Sequence, residues 1–164
     1  MSSTIPPCAG IILINSKLTK TVLVKTKCGN YSFPKGKKHK GETLFEVAVR
    51  EFTEETGINI NDITIITDQY NNCEKQVFID GLSVRGNPNV RYYLAILNSN
   101  VDEKTVDLRC DDPEELDVVE WVNNDDVFNL EKLLKERKDV FQEALKMIYL
   151  HKLKIIENNL NTWK

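Results

Sequence analysis

Two β-branched runs open the chain, Cys8 to Ile14 (CAGIILI) and Thr21 to Lys27 (TVLVKTK), with the polar segment Asn15 to Lys20 between them. Their pattern predicts an antiparallel pair of strands. Cys28 to Gly41 (CGNYSFPKGKKHKG) holds three Gly, one Pro and five basic residues counting His39, which predicts a loop. Thr43 to Thr56 then has helical periodicity. Glu42 lies at its N-terminal end, where the helix dipole favours negative charge, and Gly57 follows where a C-terminal cap wants positive φ. Further strands are expected at Ile60 to Thr67, Lys75 to Ile79, Val90 to Leu97 and Asp117 to Val122, with a turn at Asp80-Gly81. Asp125-Asp126 is expected to cap a short helix through Leu134. Lys138 to about Ile156 carries Val140, Phe141, Leu145, Ile148, Tyr149 and Leu153 as a helical stripe. The order β-β-loop-α-β-β-β-β-α-α predicts an α/β (α+β) fold, a mixed sheet with helices packed on it.

The helix at Thr43 to Thr56 has an unusual distribution of charge. At about 100° per residue, Leu44, Phe45, Val47, Ala48, Val49 and Phe52 define a buried face. Glu51 and Glu55 fall inside that arc and Glu54 falls at its edge. Burying an unpaired carboxylate costs several kcal/mol, and clustering three adds repulsion. The arrangement therefore calls for a cation. Arg50 is positioned to neutralise or orient one acid, and the remaining charge suits a hard divalent ion with oxygen ligands, Mg²⁺ or Mn²⁺.

Composition narrows the setting. The 164 residues suit one domain, here residues 8–164 behind a tail of residues 1–7, and 41% apolar content supplies a core. A net charge of −3 provides no global positive field for nucleic acid or anionic lipid, so any RNA contact is local and no DNA partner is expected. Cys8, Cys28, Cys73 and Cys110 lack C-x-x-C spacing and read as reduced thiols. With no signal-like start and no apolar span of membrane length, a cytoplasmic location is expected.

From Gly36 to Ile58 the chain reads GKKHKGETLFEVAVREFTEETGI, which resembles the Nudix box, G-x5-E-x7-R-E-U-x-E-E-x-G-U. Gly36, Glu42, Arg50, Glu51, Glu54, Glu55 and Gly57 occupy all seven fixed positions. Phe52 stands where the family usually has an aliphatic residue. Seven chance matches at one start have a probability on the order of 10⁻⁸ to 10⁻⁹. The resemblance implies a Nudix-type α/β/α sandwich and a metal-dependent hydrolase that cleaves a pyrophosphate bond in a nucleoside diphosphate linked to another group. It implies that Glu51, Glu54, Glu55 and the Gly36 carbonyl are metal ligands. Arg50 would orient a ligand carboxylate, and Glu42 would support the loop and helix or a further metal. Glu54 and Glu55 are candidate general bases within the box; Glu114, Glu115 and Glu120 lie outside it, where some relatives place theirs.

The box defines the reaction and not the substrate. Tyr31-Ser32-Phe33-Pro34-Lys35-Gly36-Lys37 resembles the entry loop of messenger-RNA decapping members and, less closely, that of dinucleoside polyphosphate hydrolases. Lys35 and Lys37 are candidate phosphate contacts, and Tyr31 and Phe33 are candidate base-stacking groups. Arg85 and Arg91 are weaker candidates for phosphate or base contact. The expected partner is a nucleotide polyphosphate or a capped RNA 5′ end. Alternative readings are a diphosphoinositol polyphosphate hydrolase and a catalytically silent Nudix module.

Overall fold

The computed structural model describes residues 5–111 and 116–161. Strand β1 (Cys8–Ile14) is buried along its whole length, as expected of an apolar run covered on both faces. It lies at the centre of the main sheet. It pairs antiparallel with β2 (Lys20–Thr26) at Ile14↔Thr21. On its other side it runs parallel to a strand at Pro88–Leu97, in register from Cys8↔Val90 to Ile14↔Ile96. One parallel ladder among antiparallel ones makes the sheet mixed.

The glycine- and lysine-rich segment expected to be a loop contains two short strands, β3 (Tyr31–Ser32) and β4 (Lys35–Lys37). They pair with β2 and β1 respectively. Strands this short carry no periodicity, and their partners lie far away in sequence. Helix α1 (Leu44–Thr56) follows, with bounds close to those expected. The run Ile60 to Thr67 divides into a single 3₁₀ turn, β5 (Ile63–Ile65) and the start of β6 (Thr67–Tyr70). The run Lys75 to Ile79 also divides. Its first part belongs to β7 (Cys73–Gln76), which forms a separate hairpin with β6, and its second belongs to β8 (Phe78–Leu82) of the main sheet.

The turn expected at Asp80-Gly81 is not there. Both residues lie within β8, opposite Arg91 and Val90 of β9 (Pro88–Leu97), and the chain reverses at Ser83 to Gly86 instead. Gly86 has φ 84°, which only glycine adopts without strain. Strand β10 (Leu116–Asn123) pairs antiparallel with β2. Helix α2 (Asn124–Val127) ends well short of Leu134, and Asp125 and Asp126 sit inside it rather than capping it. Helix α3 (Lys135–Asn161) begins earlier and ends later than expected.

The sheet order β10-β2-β1-β9-β5 separates two apolar layers. On one face Val47, Ala48 and Phe52 of α1 pack on Ala9, Ile11, Leu13 and Tyr93. On the other, Val140, Phe141, Ala144 and Ile148 of α3 pack on Ile12, Ile14, Tyr92 and Leu94. Tyr92 and Tyr93 thus fall on opposite faces, as a period of two requires. The result is an α/β/α sandwich. No helix among the described residues is long and apolar enough to cross a membrane.

Candidate active site

Helix α1 is fastened at both ends. At its start Thr43 and Glu46 form a reciprocal capping box, with Glu46 N–H donating to Thr43 Oγ1 at 3.2 Å and Thr43 N–H donating to Glu46 Oε1 at 3.1 Å. At its end Gly57 adopts φ 75° and its N–H returns to the Thr53 carbonyl at 3.0 Å. The last carbonyls find partners in a distant segment, where Arg109 N–H donates to Thr56 O at 3.0 Å and Asp111 N–H to Glu54 O at 2.8 Å. A helix end held by tertiary contacts keeps its last turn, which carries Glu54 and Glu55, in a defined position.

Strand β4 lies on β1 with Ala9 opposite Gly36, and α1 packs on β1. Gly36 is thereby set directly against the Glu51 carboxylate, and a Cβ at this position would overlap its atoms. One residue earlier, Lys35 N–H donates to Glu55 Oε1 at 2.9 Å. Two of the helix carboxylates are therefore laid along the backbone of the entry loop, close to its donors and carbonyls.

Arg50 ties the remaining groups together. Its Nε donates to Glu42 Oε2 at 2.7 Å, its Nη2 to Glu42 Oε1 at 2.9 Å and to the Lys37 carbonyl at 3.1 Å, and its Nη1 to Glu51 Oε1 at 2.8 Å. Glu54 Oε2 lies 3.6 Å from Nη1. The paired hydrogen bonds from Arg50, assisted by the His39 N–H, hold the Glu42 carboxyl down to about 2. Reciprocally, Glu42 and then Glu51 raise the Arg50 guanidinium further above its ordinary value.

The oxygen-only character of Glu51, Glu54, Glu55 and the Gly36 carbonyl suits a hard divalent cation. The close seat of Gly36 against Glu51 leaves that strand backbone free of any intervening side chain. Among the described residues, no three acidic, His or Cys side chains converge as a ready-made metal cluster, and Arg50 Nη1 lies 2.8 Å from Glu51 and 3.6 Å from Glu54.

The other expected site residues divide. Lys35 is half-buried and Lys37 is exposed; they stand opposite Gly10 and Cys8, so their side chains share the α3 face of the sheet and point away from the acids of α1. Their backbone groups already serve the site, a role that side-chain chemistry does not reveal. Tyr31 is half-buried, with Lys25 Nζ 5.5 Å from its ring centroid. Phe33 has no exposed surface; its ring packs against Tyr92 at 5.6 Å and Phe141 at 5.5 Å, so it belongs to the core beneath the loop and not to a base-stacking surface. Arg91 is engaged by Asp80 at 2.8 Å and 3.0 Å and covers the Phe78 ring at 3.9 Å. Glu120 stands opposite Leu23, so its side chain shares the α3 face of the sheet, away from α1. Glu114 and Glu115 lie outside the described residues. The Thr43/Glu46 capping box was readable from its T-x-x-E spacing.

A mixed-sheet sandwich whose acidic helix is braced by one arginine against a glycine-bearing strand defines a class. The NUDIX domain family model matches residues 4–144. The chain belongs to the Nudix hydrolase family, whose members generally use divalent metal ions. It is 24% identical over 145 residues to an RNA pyrophosphohydrolase from Mannheimia succiniciproducens, covering 85% of this chain and 72% of that protein. Among solved structures it resembles a C. elegans Ap4A hydrolase binary complex, with TM-score 0.62, 22% identity, and coverage of 87% of this chain and 98% of the other. It also resembles RenU, a Nudix hydrolase from M. smegmatis, with TM-score 0.63, 16% identity, and coverage of 88% and 86%. At these identities the structural likeness establishes the fold.

Proposed function

We propose that this enzyme hydrolyses a phosphoanhydride bond in a nucleoside polyphosphate, with a dinucleoside polyphosphate or an RNA 5′ end as substrate. The observation that carries this reading is the brace around Arg50, which holds Glu42 and Glu51 in place while Lys35 N–H holds Glu55. Glu51, Glu54, Glu55 and the Gly36 carbonyl would hold Mg²⁺ or Mn²⁺. The chemistry such a cation supplies when bound is neutralisation of pyrophosphate charge and a lowered pKa for water. Glu54 suits the general base, since its side chain is 50% exposed and its contact with Arg50 is long, so it is the acid best placed to accept a proton from an attacking water. The Lys35 and Lys37 ammonium groups, carried on the α3 face of the same strand, would neutralise phosphates that extend past it. The names of the related proteins support this substrate class, since one is an RNA pyrophosphohydrolase and another an Ap4A hydrolase.

A panel of capped RNA, diadenosine polyphosphates, nucleoside triphosphates, ADP-ribose and diphosphoinositols, with products identified by mass, tests the proposal. Cleavage of a nucleoside polyphosphate with added Mg²⁺ or Mn²⁺ is expected. Turnover confined to diphosphoinositols, or no turnover of any compound, would overturn it.

A further inference from the structure

Helix α3 changes character along the side that points away from the body. Phe141, Ala144 and Ile148 are buried beneath it and His151 is half-buried, which sets the inward direction. On the opposite side Asp139, Gln142, Lys146, Tyr149, Leu153, Ile156 and Leu160 form one continuous line of seven-residue repeats. Its first three members are polar and exposed, as an unpartnered helix surface should be. Its last four are apolar and still exposed, from 42% for Tyr149 to 64% for Leu160. Tyr149 marks the boundary, with its hydroxyl donating to the Leu18 carbonyl at 3.3 Å. Scattered exposed apolar residues are ordinary, but four of the six exposed apolar residues from Tyr149 onward follow alternating steps of four and three, the spacing of a two-helix seam, with Leu150 on its flank and Ile155 off it.

We propose that this seam is a self-association surface on which a second copy of the chain docks its own α3, parallel to the first. The flanking charges select the partner and its direction. With Leu153 and Leu160 at one core position of the repeat and Tyr149 and Ile156 at the other, Lys152 and Glu157 occupy the two flanks. In a parallel pair, Lys152 of each copy faces Glu157 of the other, giving two symmetric ion pairs. Neither residue forms an ion pair within the chain among the described residues. In an antiparallel pair the same alignment sets Lys152 against Asn159 and Glu157 against Leu150, and the complementarity is lost. Upstream, Lys146 would meet its own copy, so repulsion limits the contact to the last turns. Stable interfaces take about 800 Å² from each partner, more than a seam of four side chains supplies, so the dimer is weak and forms with rising concentration.

Sedimentation velocity of the full chain over a concentration series tests this. The expected result is a monomer that converts progressively to a dimer. Leu153→Glu, at an exposed position where the fold tolerates charge, is expected to weaken the dimer about tenfold or more with no change in melting temperature. Lys152→Glu is expected to weaken it, and adding Glu157→Lys to restore it. Leu160→Cys is expected to form an intermolecular disulfide on oxidation. A monomer at every concentration, a dimer untouched by Leu153→Glu, or no restoration by the charge swap would overturn the proposal. So would a chain that stays monomeric and binds phosphatidylserine-containing vesicles through Leu153, since that result assigns the seam to a membrane surface.

Discussion

Arg50 grips the Glu42 carboxylate with two hydrogen bonds, Nε to Oε2 at 2.7 Å and Nη2 to Oε1 at 2.9 Å, and so joins the entry loop to the helix that follows it. This pairing predicts a pH dependence with a definite sign. Glu42 titrates at about 2 in the folded protein against an ordinary value of 4.5, so its contribution is fully present above 4.5 and is lost as pH falls through 2. Glu42→Gln is expected to lower the urea midpoint at pH 7, and the gap from the parent protein should close between about pH 4.5 and pH 2. Added salt should narrow the gap at neutral pH, because the pair is partly open to solvent. An equal gap at pH 7 and pH 2 would show that Glu42 acts through packing alone.

Gly36 is required by its neighbour and not by its own dihedrals. A methyl group at this position would displace the Glu51 carboxylate, which Arg50 Nη1 holds at 2.8 Å. Gly36→Ala is therefore expected to reduce kcat by about a hundredfold, the cost typical of a displacement near 1 Å at a catalytic group. Circular dichroism should retain the parent spectrum. Parent-like turnover would show that Glu51 can move without consequence and would remove it from the proposed ligand set.

The site was far more legible in the sequence than the surface around it. Gly36, Glu42, Arg50, Glu51, Glu54 and Glu55 are spaced so that a single helix and the strand before it bring them together, and local spacing is what a sequence displays directly. Strands β3 and β4 escaped detection because their pairing is decided by β1 and β2, as in Ala9↔Gly36 and Val24↔Ser32, while their Gly, Pro and Lys content reads as a loop. Asp80-Gly81 failed for a related reason. A dipeptide with strong turn preference was overridden by the Asp80–Arg91 ion pair and by the close approach of the buried Arg137 side chain to Gly81. Tyr149 and Leu153, expected in the same stripe as Phe141 and Ile148, are exposed on the other side of α3, because apolar spacing alone does not say which face of a helix the body covers.

Tyr31 and Phe33 are two residues apart and have different environments, which mutation can separate. Phe33→Ala empties a fully buried position against Tyr92 and Phe141 and is expected to cost about 3–5 kcal/mol. Tyr31→Ala, at a half-buried position, is expected to cost about 1 kcal/mol. If Tyr31 stacks on a nucleobase, its loss should raise KM for nucleotide substrates with little effect on melting temperature. Equal destabilisation by the two substitutions would contradict the core assignment of Phe33.

Glu55 accepts a hydrogen bond from the Lys35 N–H through one oxygen at 2.9 Å, which makes Glu55→Gln an informative change. Glutamine keeps a carbonyl oxygen for that bond and nearly the same volume, so the strand-to-helix contact and the melting temperature should survive. What disappears is one negative charge from a donor set proposed to hold a divalent cation. Turnover is expected to fall by several orders of magnitude, and titration calorimetry with Mn²⁺ in the absence of substrate should show weaker binding than in the parent protein. Treating the parent with EDTA should abolish turnover, and adding Mg²⁺ or Mn²⁺ should restore it. If Glu55→Gln binds Mn²⁺ like the parent but loses turnover, Glu55 acts on the proton rather than the metal, and the roles proposed for Glu54 and Glu55 exchange. If both binding and turnover persist, the Lys35 contact is structural and Glu55 leaves the catalytic set.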